Sequence, residues 1–293
     1  MTLAKLILWL LNVSIMLSVF AIGLKATLSD ATFLFRRPAL LLRALLAMNV
    51  LTPAFALIVS LAFELNPAIK IALVALSVCP TPPILPNKAL KAGGRERYTI
   101  GLLVAMAALS IVLIPVTLEL FEVISGIQLR MKAADVASVV ATSIVIPLVL
   151  GIAVRAVWQS FADRVANPIG LVAKLVLVIV FLPILFTSAR GVLALIGDGT
   201  FLALAAFAIC ALIVGHLLGG PHPEDRTVLA LATSARHPAI ALAIANANFP
   251  EEKLAGALVL IYMVLSGILA APYLNWTKRA DATPATEEKH VEA

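Results

Sequence analysis

Residues 226–248, RTVLALATSARHPAIALAIANAN, are long enough to cross a bilayer, yet Ser234, Arg236, His237 and Pro238 interrupt them at the centre. An ionisable side chain at that depth costs about 2.5–3.5 kcal/mol on insertion scales, so it marks a polar pathway in preference to a lipid-facing surface. Arg236 brings a permanent charge and five N–H donors. Three uses stay open for it: satisfying unpaired carbonyls at the negative end of a half-helix, gripping an anionic substrate through a bidentate fork, or holding a structural ion pair or snorkelling to an interface. His237 can carry a coupling proton, because imidazole titrates near neutral pH. The adjacent guanidinium opposes a second charge, so a neutral, hydrogen-bonding histidine is the other reading.

A second polar interruption lies in residues 67–94, where Cys79, Pro80, Thr81, Pro82, Pro83 and Pro86 destroy any continuous helix. Asn87 follows a proline suited to the first turn of a half-helix, so its amide can face the break or cap a turn. Thr81 flanks the same break. Cys79 reads as packing, since a buried free cysteine behaves as a small hydrophobe. Thr233 and Ser234 can line a cavity or satisfy their own helix backbone. His216 and His222 have no cysteine or carboxylate at metal-ligand spacing, and Glu119 and Glu122 fall near a span end facing water. Without a hydrolase, nucleotide or dinucleotide motif in a supporting context, an enzyme is disfavoured; neither cofactor nor metal is expected.

These breaks must be positioned by membrane-spanning helices. The chain of 293 residues is 62% hydrophobic and 13% charged, with a mean hydropathy of +1.06; a soluble domain is roughly 45–50% apolar. An all-α integral membrane protein follows. The tail from Asp281 carries a net −3 of the overall +6, leaving +9 upstream, an excess that reflects orientation and not nucleic-acid binding. Cys79 and Cys210 have no CxxC spacing, so neither a disulfide framework nor zinc is suggested.

Apolar stretches of about 20 residues, the length that crosses ~30 Å of hydrocarbon, predict spans at 6–24, 38–63, 98–123, 134–158, 168–188, 201–218 and 254–276; the two interrupted stretches bring the total to nine. The first span is too long for a signal-peptide core. Thirteen Lys and Arg fall in loops of one face against six on the other, which places the N-terminus outside and the C-terminus in the cytoplasm, in a cell (inner) membrane. Trp158 and Trp276 sit at span ends, at the headgroup level. Each interrupted span comes third in a run of four, spans one to four and six to nine, so the runs enter from opposite sides. An inverted repeat with one discontinuous helix per half, the two crossing, is a signature of secondary transporters. Prolines that merely kink two helices of a bundle would be the plainer account.

The order and lengths of these pieces resemble the bile acid:sodium symporter family. The matching pieces are GLKATLSDATFLFRRPALLL at residues 23–42, the span containing Pro53, the CP…PN…AGG segment at 79–94, and SARHPAIALAIA at 234–245. The last is similar to a family signature of a glutamate and glycine followed by Gln-Asn and a small-residue helix. The resemblance implies the crossed-helix fold, an organic anion as substrate and sodium as coupling ion. The positions that hold sodium in the family are occupied here by Ala232, Arg236, Pro86 with Asn87, apolar residues around Leu103, and Met48 beside Asn49. Asn87 alone is kept, and Asn49, one position off, is a further candidate. A site with its carboxylate replaced and a guanidinium introduced should repel sodium, so Arg236 reads as a built-in replacement for it; sodium, a proton or no ion at all stay open as coupling partners.

The sequence thus implies a membrane domain over residues 1–278, in which a core of the broken helices and their neighbours rocks against a panel of spans one, five and six. A disordered cytoplasmic tail follows at 279–293. The function expected is secondary transport of a bile-acid-like or small carboxylate anion bound near Asn87 and Arg236. A sodium-independent exporter of arsenite or a weak organic acid, and a non-transporting membrane receptor, are the alternatives.

Overall fold

A computed structural model describes residues 3–82, 85–125, 133–193 and 199–281, and every regular element among them is helical. In chain order these are α1 (Leu3–Gly23), α2 (Leu28–Ala31), α3 (Pro38–Leu45), which runs through a π-helical stretch (Leu46–Leu51) into α4 (Thr52–Ala62), α5 (Pro67–Val78), α6 (Leu85–Lys91) and α7 (Glu96–Ser125). Then come α8 (Ala133–Val140), continued through a second π-helical stretch (Ala141–Val145) into α9 (Ile146–Val157), α10 (Gln159–Leu193), α11 (Thr200–Leu218), α12 (Pro223–Ser234), α13 (Pro238–Asn248) and α14 (Lys253–Asp281). The expected tail lies outside the described residues from residue 282 onward; α14 itself runs past the expected boundary at 278.

Five segments among the described residues are long and apolar enough to cross a membrane: Pro38–Ala62, Glu96–Ser125, Ser138–Val157, Thr200–Leu218 and Leu254–Thr277. Each coincides with a span read from the sequence. Ile58, Val112, Ile179 and Leu202 are more than 60% exposed on the helix surfaces, a display that is costly in water and neutral against lipid tails. The protein is an integral membrane protein.

Proline chemistry decides which helices stop. Single prolines, Pro115 in α7 and Pro272 in α14, sit inside continuous helices, where one missing N–H is tolerated. After Val78, however, Pro80, Pro82 and Pro83 delete three N–H donors within four positions, so α5 cannot propagate and Cys79 turns extended. The second break is shorter. Pro238 disfavours helical geometry at His237, α12 ends at Ser234, Ala235 and His237 are extended, and Pro238 restarts the chain as the first residue of α13.

The interrupted stretches pack on one another: α13 lies on α5 and α12 on α6, with α4 and α14 also against α5. Where the interruptions meet, the His237 backbone N–H donates to the Pro80 carbonyl at 3.0 Å. A separate group forms around α1, which packs on α9 and α10. Its contact with α9 is backbone to backbone, because a Cβ on Gly23 would lie 2.5 Å from the Leu148 carbonyl oxygen and one on Gly151 2.5 Å from that of Phe20. Ser14 Oγ donates to the Ala173 carbonyl at 2.7 Å and ties α1 to α10.

Candidate functional site

The break after α5 creates acceptors without donors. Cys79 and Pro80 present carbonyls to a segment whose prolines carry no N–H. The π-helical stretch adds another. There the Thr52 N–H bonds to the Ala47 carbonyl, five residues back, and the next residue, Pro53, has no N–H to offer Met48. The Met48 carbonyl therefore has no backbone donor inside the membrane, where an unpaired polar group costs several kcal/mol.

Arg236 donates to both the Cys79 and Met48 carbonyls. Its Nη1 donates to the Cys79 carbonyl at 3.0 Å, and Nη1 and Nη2 straddle the Met48 carbonyl at 3.4 Å each. Nη2 also donates to Thr52 Oγ1 at 2.7 Å, and that hydroxyl shares its one proton between the Ala47 carbonyl at 2.6 Å and the Met48 carbonyl at 3.0 Å. The side chain is 2% exposed. No carboxylate lies within ion-pair distance of it among the described residues. The charge is balanced by carbonyl dipoles and by the negative end of α5. The guanidinium stands at the end of α5, buried and without an ion-pair partner among the described residues.

The end of α12 is closed by a different donor. Tyr262 of α14, buried against Phe207 at a ring separation of 5.5 Å, donates its hydroxyl to the Ser234 carbonyl at 2.6 Å. Each half-helix that ends at the crossing thus has a donor from another part of the chain.

Around these caps several buried polar atoms have no hydrogen-bond partner among the described residues: Thr81 Oγ1, Ser234 Oγ, Arg236 Nε and both ring nitrogens of His237. Such a concentration at one point is unusual, since buried polar atoms are nearly always paired with protein or water. His237 is fully buried and forms part of the wall of a cavity of about 470 Å³. That cavity separates α1 and α10 from α6, α7, α13 and α14, and its ionisable wall residues besides His237 are Lys25, Lys88, Lys174 and Glu96. Three ammonium groups against one carboxylate make it electropositive.

The remaining sequence candidates fall as follows. Thr81 and Ser234 stand at the two breaks with free hydroxyls. Thr233 spends its hydroxyl on the Leu229 carbonyl of its own helix at 2.6 Å, and packs where a Cβ on Gly215 would come within 2.7 Å of it. Asn49 borders a void of about 10 Å³ beside Pro53 and Pro80, room for about one water. The backbone of Asn87 is in the first turn of α6, and its side chain lies outside the described residues. Sequence reasoning missed Thr52 and Tyr262, both buried hydroxyl residues in otherwise apolar spans.

One ion pair organises the end of the fold before α12. Arg95 Nη2 lies 3.2 Å from Asp225 Oδ2, and its Nε lies 3.6 Å from Glu224 Oε2. Burial raises the Asp225 carboxyl above its ordinary value, and the Arg95 guanidinium offsets part of that rise.

An all-helical membrane protein with two interrupted helices meeting at a polar point belongs among transporter-like folds. Comparison with family models matches residues 12–196 to the Sodium Bile acid symporter family. The match covers more than half of the chain, and the protein belongs to that family, whose members are membrane transporters. No curated protein matches the chain. The family match ends before α11, so the roles given to Arg236 and Tyr262 rest on their own geometry.

Proposed function

We propose that the protein is a secondary carrier that moves a bile-acid-like or small carboxylate anion by alternating access, without sodium. Nine spans form an inverted repeat. Spans one, five and six, represented by α1, α8 with α9, and α10, make a panel against which the crossed core rocks. The observation that carries the reading is the guanidinium of Arg236 on the Cys79 and Met48 carbonyls and the Thr52 hydroxyl. It places a permanent positive charge at the end of a discontinuous helix, where a symporter of this family would be expected to hold a dissociable cation. A tethered cation cannot dissipate a gradient, so flux follows the anion's own gradient or exchanges one anion for another.

The electropositive cavity beside His237 supports an anionic substrate, and about 470 Å³ suits a small organic molecule. His237, buried here with neither ring nitrogen partnered among the described residues, would donate to the substrate as a neutral group once the rocking of the core uncovers it; Thr81 and the backbone of Asn87 stand at the two ends of the first break. The test is counterflow in proteoliposomes with a panel of bile salts and small carboxylates, in sodium and in choline. Sodium-independent counterflow of at least one anion supports the reading; flux that requires sodium sinks it. A second reading has one observation in its favour, because Arg236 fastens α5 to the π-helical stretch and could pin the crossing shut. Saturable binding with no flux would identify such a receptor.

A further inference from the structure

A second cavity, of about 260 Å³, lies inside the helix group around the crossing, between α6, α12 and α14. It exists because α14 presents Ser266, Gly267 and Ala270 to α6, leaving space that larger side chains would fill. Lys88 and Lys91, one turn apart on α6, stand in its wall, and no acidic residue does. Neither lysine has an ion-pair partner among the described residues. The wall opposite carries Ser234, 2% exposed, whose hydroxyl has no partner. A Cβ on Gly267 would lie 3.7 Å from Lys88 Nζ, so the ammonium runs along the floor of this space. Lys88 also borders the larger cavity.

We propose that this inner cavity is a second anion site, for an oxyanion of phosphate size, held by the Lys88 and Lys91 ammonium groups and the Ser234 hydroxyl. The sign follows from the charges. The end of α12 contributes about half a negative charge at most, and its Ser234 carbonyl is already occupied by Tyr262; two full positive charges outweigh it. Ser266 donates to the Met263 carbonyl at 3.2 Å and leaves only an acceptor, so the donors are the two ammonium groups and Ser234. The cavity bounds the ligand as well. It has room for a phosphate with its first water shell or for the head of a phosphate monoester, and its inner wall of Leu85, Leu231 and Ala270 is apolar. A free phosphate and a lipid headgroup phosphate share this chemistry.

The site does not depend on the transport reading and is tested by stability. The melting temperature of the delipidated full-length protein is followed against inorganic phosphate, and separately against dihexanoyl phosphatidic acid, at constant ionic strength set with gluconate. A ligand bound to the folded state raises Tm with the logarithm of saturation, whereas general salting-out does not saturate. A saturable rise with either ligand is expected, and which of them produces it distinguishes the free anion from the lipid. Ala270→Leu, which fills the space, should abolish the rise. Lys91→Gln, a change at an exposed side chain that should leave the fold intact, should weaken apparent affinity about tenfold through loss of a charge-assisted bond. No saturable rise with either ligand, or a rise that both variants leave unchanged, overturns the proposal. Stabilisation by a bile salt or carboxylate, measured on the same samples, reports on the transport cavity separately.

Discussion

Arg236 Nη1 lies 3.0 Å from the Cys79 carbonyl oxygen, so the cation of the second break neutralises the helix end of the first. The two interruptions, 157 residues apart in sequence, are joined through one side chain. Arg236→Ala should leave the Cys79 carbonyl unpaired, at roughly 1–3 kcal/mol, and the Met48 carbonyl with the Thr52 hydroxyl alone, and should reduce flux at least about tenfold. Arg236→Lys retains the charge without the planar fork and should fall between. Proteoliposome flux and Tm, measured on both variants, check the ordering.

Thr52 holds the other side of the guanidinium. Thr52→Val keeps the shape and removes the acceptor, leaving a charged donor unpaired at a cost of about 1.5–3 kcal/mol. Thr52→Ser should restore most of it. Equal Tm for the valine and serine variants would contradict the assigned bond.

The Tyr262 hydroxyl closes α12 through the Ser234 carbonyl at 2.6 Å. Tyr262→Phe should cost about 1–3 kcal/mol, since one buried carbonyl loses its donor. Because the ring remains against Phe207, the loss should appear without a change in packing, as a lower Tm with an unchanged far-ultraviolet spectrum.

Asp225 gives the pH dependence a sign. Its folded-state carboxyl titrates above the ordinary value of 3.8, chiefly through burial. The folded protein therefore binds the proton more tightly than the unfolded chain. This contribution to stability is present below 3.8 and is lost as pH rises through the folded value. Asp225→Asn should flatten that slope, and Arg95→Ala should steepen it by removing the partner that offsets the desolvation. A series of Tm values from acid to neutral pH distinguishes the three proteins.

His237 is expected to act as a neutral donor to the substrate. His237→Gln should keep flux within about tenfold of the parent and His237→Ala should raise KM with less effect on kcat, the pattern of lost uniform binding. Flux driven by an imposed pH gradient would contradict the neutral assignment.

Both interruptions were legible in the sequence because proline acts locally: three missing N–H groups in four positions, or a proline after Arg-His, stop a helix wherever they occur. Arg236 was legible for the same kind of reason, as a charge in an apolar stretch. Its partners were not, since Thr52 and the Met48 carbonyl come from a helix nearly 190 residues away. Pro53 has no N–H, so some carbonyl before it loses its backbone donor. In an α-helix that would be Asn49, four residues back; the π-helical register moves the vacancy to Met48. The cavity between α6, α12 and α14 was not legible, because it depends on small residues of α14 whose spacing alone is common in membrane helices.

The proposal that Arg236 stands in place of a dissociable sodium ion is tested most directly by the melting temperature of the purified protein in sodium chloride and in choline chloride at matched ionic strength. A ligand that binds the folded state alone must stabilise it. The account requires equal values in the two salts for the parent protein. A rise specific to sodium would contradict it, showing a vacant cation site beside the guanidinium and a protein that still couples to the ion.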